Sequence, residues 1–400
     1  MRSFTVEERR ARLARRHLLS GTGDVSVADV AEVAHRFVGL HATDPATPFL
    51  SLWARVPGFR VAELDAALYV DRTVAKHLAM RRTLWVFDVA DLPAVQSAAS
   101  DRVAANEHRR LAADVVKAGI AADGDVWLDA AAAAVLRHLA DTGHASAREL
   151  RLALPELAGD YDPAPGKTWG GAGPISPRVI TVLGVRGDLI RGNNEGVWTS
   201  SRPRWVGTAD WLGARPVPLA PEAARAELVG TWLRTFGPAT VNDVKWWFGN
   251  TLTWVRDALR DLEAVEVDMA GTPGYALPDD LEPEPAADPW CALLPGLDVT
   301  TMGWQERDWY LGGHRSQVFD RNGNGGPTAW WHGRVVGGWG HEPGGRVALH
   351  LLEDVGARAT KALRRKADQL TEWLDGTRIN PRFPSPLSKS PLSKTGSADD

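Results

Sequence analysis

The residues best suited to chemistry stand at His41-Ala42-Thr43-Asp44-Pro45. Proline disfavours helical geometry in the residue before it, so a helix arriving from upstream is expected to end near Leu40. Alternate side chains of an extended segment point to one side. That sets His41 and Thr43 together and turns Ala42 toward a core. An imidazole and a hydroxyl so paired can hold and polarise a water, with the Asp44 carboxylate beside them. The same residues also suit plain architecture, His41 capping a helix C-terminus and Thr43-Asp44-Pro45 forming a turn. Spacing alone leaves both readings open.

Two basic stretches could meet an anionic partner. The first is Lys76-His77 followed by Met80-Arg81-Arg82-Thr83, where Arg81 and Arg82 enter a strand as phosphate contacts or as a solvated face. The second is RGNNEGVWTSSRPRW (191–205), which sets Arg191, Arg202 and Arg204 around a Gly/Asn turn. A flexible basic hairpin suits insertion into a nucleic-acid groove, and it is also an ordinary surface feature. Among 18 tryptophans, the pairs Trp246-Trp247 and Trp330-Trp331 offer at most one ring each for stacking, because neighbours on one element face different ways. No Walker A, H-E-x-x-H or G-x-S-x-G motif occurs, and DRNGNGG (320–326) reads as a turn between strands. The single cysteine, Cys291, excludes an intramolecular disulfide and a cysteine-based zinc site. No metal and no cofactor are expected.

The elements that must carry these residues follow from an internal repeat. GDVSVADV (23–30), GHASAREL (143–150) and GPATVNDV (237–244) share G-x-[AV]-[ST]-x-x-[DE]-[VL]. Gly allows a sharp exit from one helix; Ser or Thr then caps the next, with an acidic residue three positions on. Capped helices are therefore expected to begin near Ser26, Ser146 and Thr240. Helical periodicity precedes the second and third copies (129–143 and 221–237). A further helix and a hairpin follow each, the hairpins turning at 193–196 and 271–274. The first copy is looser, with a helix at 61–72 and a strand at 83–88. Helix, turn, capped helix, helix, hairpin is the winged-helix order. The expected class is α+β: winged-helix units over 1–118, 119–215 and 216–285, a β-rich domain with one helix over 286–382, and a disordered Pro/Ser-rich tail over 383–400.

Composition agrees with a globular chain of several units: 400 residues, 44% hydrophobic and 24% charged. No apolar run is long enough to span a bilayer, and the basic N-terminus lacks the apolar stretch of a signal peptide, so a cytoplasmic, membrane-free monomer is expected. Net charge is −4, but residues 1–120 carry 17 Lys/Arg against 14 Asp/Glu. Nucleic-acid contact, where it occurs, should be local rather than a broad charge effect.

VGLHATDPATPFLSLWARV (38–56) and KHLAMRRTLWVF (76–87) resemble the winged-helix family of crosslink-repair DNA glycosylases, the AlkZ type, and most of all an actinobacterial branch described only as winged-helix DNA-binding proteins. The similarity continues through KTWGG (167–171), SRPRW (201–205), DVKWWFG (243–249), LLPGLDVTTMGWQERDWYLG (293–312) and RFPSPLS (382–388). The resemblance implies tandem winged helices closed by a C-terminal β-rich domain, and double-stranded DNA carrying alkyl-purine lesions as partner. It implies a monofunctional glycosylase that removes bulky N7-alkylguanine adducts. The family's Gln-apolar-Gln pair, or Gln-apolar-Asp in a sister group, falls on His41-Ala42-Thr43; the spacing is kept and both identities differ. N7-alkylation makes guanine a cationic leaving group, so an enzyme need only place water at C1′ and stabilise an oxocarbenium-like sugar. His41 would orient or deprotonate that water, Thr43 would hold it, and Asp44 would supply negative charge. A non-catalytic winged-helix regulator, or a module that binds the genotoxin itself, are the rival readings.

Overall fold

The computed structural model describes residues 1–21, 29–164, 166–167 and 170–389. The chain forms two compact units, Met1–Leu64 with Val229–Asp400, and Asp65–Leu228.

The first unit opens with α1 (Val6–Arg16), capped by the Thr5 hydroxyl, acidic in its first turn and basic in its last. Then comes α2 (Val30–Arg36), where the repeat meets its first correction. Ser26 lies outside the described residues, and the cap is Asp29, which accepts from the Glu32 N–H. The helix also stops earlier than Pro45 suggested. Val38 and Gly39 take positive φ (51° and 95°), and their N–H groups close onto His35 and Ala34 carbonyls. The chain has already turned when it reaches Leu40. After the histidine segment come α3 (Thr47–Trp53) and α4 (Val61–Tyr69), within which the division between units falls.

The second unit holds a hairpin of β1 (Val74–Leu78) and β2 (Leu84–Asp88), followed by α5 (Asp101–Lys117) and α6 (Gly124–Thr142). Gly143 ends α6 at φ 79°, and α7 (Ala147–Ala153) begins with a complete capping box of Ser146 and Glu149. Then follow α8 (Ser176–Val185), β3 (Leu189–Asn194) and β4 (Pro203–Gly207). Leu111, Leu128, Val135, Leu183 and Trp205 share this unit's core. The β3–β4 hairpin departs from the expected tight turn at 193–196. Its return strand starts at Pro203, and the loop between is organised by the Asn194 amide, which donates to the Ser200 carbonyl and accepts from the Arg202 N–H.

The chain returns to the first unit within α9 (Pro221–Phe236), and α10 (Val241–Phe248) and α11 (Leu252–Asp261) follow. Thr240 and Asp243 form the expected capping box, and the other Asp243 oxygen accepts N–H groups of Gln305 and Glu306 at 2.8 Å each. Thr240→Ala is expected to cost about 1 kcal/mol in urea unfolding; no loss would deny the cap a stabilising role. The hairpin of β5 (Val265–Met269) and β6 (Thr272–Ala276) turns on Ala270-Gly271, both at positive φ, not at 271–274. A four-stranded antiparallel sheet closes the unit: β7 (Cys291–Leu294), β8 (Thr328–Trp331), β9 (Arg334–His341) and β10 (Val347–Leu351), in that order. The helix α12 (Gly356–Leu374) packs across β7 and β10. Trp232, Phe236, Trp247 and Trp304 form an aromatic core with His17 and Phe37. Disorder was expected from residue 383, yet the chain stays packed to Lys389: Ser385 and Leu387 are buried and 386–389 form the short helix α13. A leucine and a hydroxyl that reach a partner outweigh a Pro/Ser-rich composition. The rest of the tail lies outside the described residues.

Candidate active site and nucleic-acid interface

Leu40 and His41 are extended, and His41 is 3% exposed. Ala42 is buried as expected, and Thr43 is half-buried. The Thr43 N–H points at His41 Nδ1 at 3.4 Å. An imidazole whose Nδ1 accepts such a bond presents Nε2 as its N–H donor. Asp44 is occupied differently from the expectation of a charge held open to a sugar. Its Oδ1 accepts from the Ala46 N–H at 3.1 Å and its Oδ2 from the Arg382 N–H at 2.9 Å. The Arg382 guanidinium also reaches the Thr43 carbonyl, and the Thr47 hydroxyl donates to the Gly296 carbonyl at 2.7 Å. Asp44 is thus a clamp that fixes the backbone presenting His41 and Thr43.

Behind this loop, α3 is bolted to the segment after β7. Arg55 makes two bonds to Asp298, at 2.7 and 2.9 Å, and both side chains are completely buried. Ser51 donates to the same carboxylate at 2.6 Å, and the Thr300 N–H donates to it at 2.9 Å. The Thr300 hydroxyl accepts from Arg55 at 2.7 Å, so its own proton goes to His17 Nδ1, also at 2.7 Å. Burial, aided by the Arg55 charge, pulls the His17 pKa well down and keeps that ring a neutral acceptor. None of Ser51, Arg55, Asp298, Thr300 or His17 was assigned a role from sequence. The available signal was an arginine inside the otherwise apolar run around α3, which a buried helix tolerates only with a partner.

The basic residues sit in the second unit. Arg81 and Arg82 occupy the β1–β2 turn with left-handed backbone (φ 54° and 61°); Arg82 pairs with Glu107 at 2.9 Å and stays half exposed. Arg191 on β3 lies over the Trp205 ring at 5.0 Å and donates to Ser201. Arg202 is exposed in the loop. Arg204 is already balanced, by Glu149 at 2.6 Å and Glu195 at 3.1 Å, and it also bonds His144. The Ser146 N–H and then Arg204 hold the Glu149 carboxyl down at about 2. The structure therefore groups Arg191, Arg202 and Arg204 on one hairpin but leaves them with different availability.

Lys76 and His77 are not surface cations. Lys76 donates to the Tyr69 hydroxyl at 3.2 Å, and burial first, then Arg191, lowers its pKa to about 8. His77 bonds Ser100 at 3.0 Å, and burial lowers its pKa to about 4. A histidine held neutral in the fold gains its proton first in the unfolded chain, near pH 6.5. Its contribution is full above that pH and is lost as pH falls toward 4. Urea midpoints should drop between pH 7 and pH 4.5, and less in His77→Gln. An equal drop in both proteins would remove His77 as a cause.

Trp247 and Trp330 are fully buried, while Trp246 and Trp331 are half-buried, one ring of each pair serving the core. Asp320 accepts the N–H groups of Asn322 and Asn324, so 320–326 is a turn. Among the described residues no group of three His, Cys, Asp or Glu side chains is placed to hold a metal ion, and no helix is long and apolar enough to cross a membrane.

Residues 34–373 match the family model described as AlkZ-like, DNA glycosylase AlkZ-like. Among solved structures, the DNA glycosylase AlkZ of Streptomyces sahachiroi superposes with a TM-score of 0.73 at 21% identity, covering 95% of this chain and 99% of that one. That likeness shows a shared fold. No curated protein matches the sequence.

Proposed function

The chain belongs to the AlkZ-like DNA glycosylase family, and from that premise we propose that it hydrolyses the N-glycosidic bond of bulky N7-alkylguanines in double-stranded DNA, crosslinked or intercalated adducts included. The observation that carries this reading is the clamped loop: Asp44 spends both oxygens on backbone N–H groups, and the backbone so fixed presents an imidazole donor and a hydroxyl two residues apart.

The reaction suits that equipment. The C1′–N9 bond breaks and its electron pair neutralises the cationic base, so no general acid is needed. Water adds to the oxocarbenium-like C1′ and its proton passes to solvent. His41, donating through Nε2, and Thr43 hold the water oxygen; Asp44 acts as their positioning residue. Neither metal nor cofactor is called for by a leaving group already carrying positive charge. The three helix-turn-helix and hairpin segments serve as winged-helix units, followed by the β-rich C-terminal part. Arg81, Arg82, Arg191 and Arg202 meet phosphates, and Arg204 holds the hairpin through its two carboxylates. A monomer in the cytoplasm, in repair or in self-resistance to an alkylating compound, fits this role.

The test offers duplexes bearing N7-guanine adducts, from methyl to crosslinked forms, and looks for free modified base with an abasic site. No release from any adduct, with tight binding to undamaged duplex, would instead favour a non-catalytic regulator. For the hairpin, Arg202→Gln should lower the salt slope of duplex binding by roughly one. An unchanged slope would remove Arg202 from the interface.

A further inference from the structure

A cleft of about 490 Å³ lies between α12 and the outer end of β7, away from the clamped loop. Arg358, Lys361 and Arg365 recur at helical spacing along its wall, with Lys366 beside them, and among the described residues no acidic side chain lines it. Among the described residues Arg358, Lys361 and Arg365 have no ion-pair partner, and all three are exposed. Lys366 is half-buried, lies over the Trp53 ring at 5.2 Å, and faces Cys291 and Arg365. The half-buried Trp331 indole and Cys291 contribute to the lining. Four cations with no counter-charge among the described lining residues, in a chain of net charge −4, favour an anion that joins them.

We propose that this cleft binds the phosphodiester backbone of DNA. Arg358 to Arg365 spans roughly 10 Å of helix, about three steps of a strand that carries a phosphate every 3.4 Å. That length favours a run of phosphates over a single phosphorylated small molecule. Trp331 gives an apolar surface for a sugar or base face. The second cavity along α12 makes the contrast: it is lined by Arg346 and Arg364 but also by Glu342 and Asp368, so its charge is internally balanced. The position is also apt. Cys291 opens β7, and the Gly296 carbonyl just beyond its far end takes the Thr47 hydroxyl. The strand rise makes that separation roughly 15 Å, four or five base steps. The inference takes only its partner, DNA, from the proposed function and adds a contact outside the reacting loop.

Fluorescence anisotropy with an undamaged fluorescein-labelled duplex, at salt from 50 to 200 mM, tests it. The variant Arg358→Gln/Lys361→Gln/Arg365→Gln should lose affinity, and its salt slope should shrink by about two to three. Arg365→Gln alone should shrink it by about one, and Arg364→Gln, on the balanced side of the same helix, should leave it unchanged. Unchanged slopes throughout overturn the proposal. Equal changes for Arg364→Gln and Arg365→Gln overturn it too, because they report overall charge rather than a contact. Binding to undamaged duplex is read without base release, which separates failure of the cleft from failure of the reaction at His41.

Discussion

His41→Ala is expected to slow release of modified base by about 10²–10⁴ while binding to undamaged duplex stays near that of the parent protein, the range typical for losing a group that orients or activates the reacting water. The effect should be large because His41 is buried and the Thr43 N–H at its Nδ1 holds the ring in place. Thr43→Ala should slow the reaction less, since the Thr43 backbone N–H that faces the imidazole remains. His41→Gln is the informative intermediate: an amide supplies a donor and an acceptor near the same place and should recover part of the rate. Single-turnover measurement with excess protein separates chemistry from binding. Base release at the parent rate in His41→Ala and Thr43→Ala alike would leave the enzyme standing and remove these residues from its mechanism.

Asp298→Ala should lower the stability of the first unit by about 3–5 kcal/mol, the range seen when one member of a buried ion pair is removed and the other is left uncompensated. Arg55 would lose both carboxylate bonds at a site closed to solvent. Arg55→Met combined with Asp298→Leu should cost less than Asp298→Ala alone, because no charge is left stranded, though Ser51 and Thr300 lose a partner. Urea unfolding at neutral pH measures all three. A loss below about 1 kcal/mol for Asp298→Ala would mean that this site is wetter or more compliant than its full burial indicates. Partial loosening, as in Asp298→Asn, should reduce base release more than duplex binding, because α3 directly follows the loop that carries His41.

Whatever depends on neighbours three or four residues away was legible in the sequence. The caps at Ser146 and Thr240 are such features, each closing onto an acidic side chain at the third position. The first copy misled because it holds two candidate caps three residues apart, and Asp29 is the one that caps α2. The β3–β4 turn was drawn too tight because Asn194 replaces turn geometry with side-chain bonds across eight residues, which no dipeptide signal announces. Arg204 read as a free cation because its partner Glu149 lies 55 residues earlier on another element. Arg55 and Asp298 are 243 residues apart, and composition treats both as ordinary surface charges. The histidine segment stood out by its residue types, and the structure sets the Thr43 N–H against the His41 ring. That Asp44 is a clamp was hidden, because the group it holds is a backbone N–H, and any residue but proline supplies one.

The Asp44–Arg382 bond joins residues 338 positions apart. It sets an order of events during synthesis. The ribosome delivers His41 and Thr43 early, yet the N–H that fixes their loop emerges only after the whole second unit and the four-stranded sheet. The second unit is continuous in sequence and can fold while the first waits for its other half. A chain halted between the end of the second unit and Arg382 carries the basic hairpins without the bond that fixes the His41 loop. For a protein whose proposed task is to cut bases from DNA, arming at the end of translation keeps incomplete copies harmless.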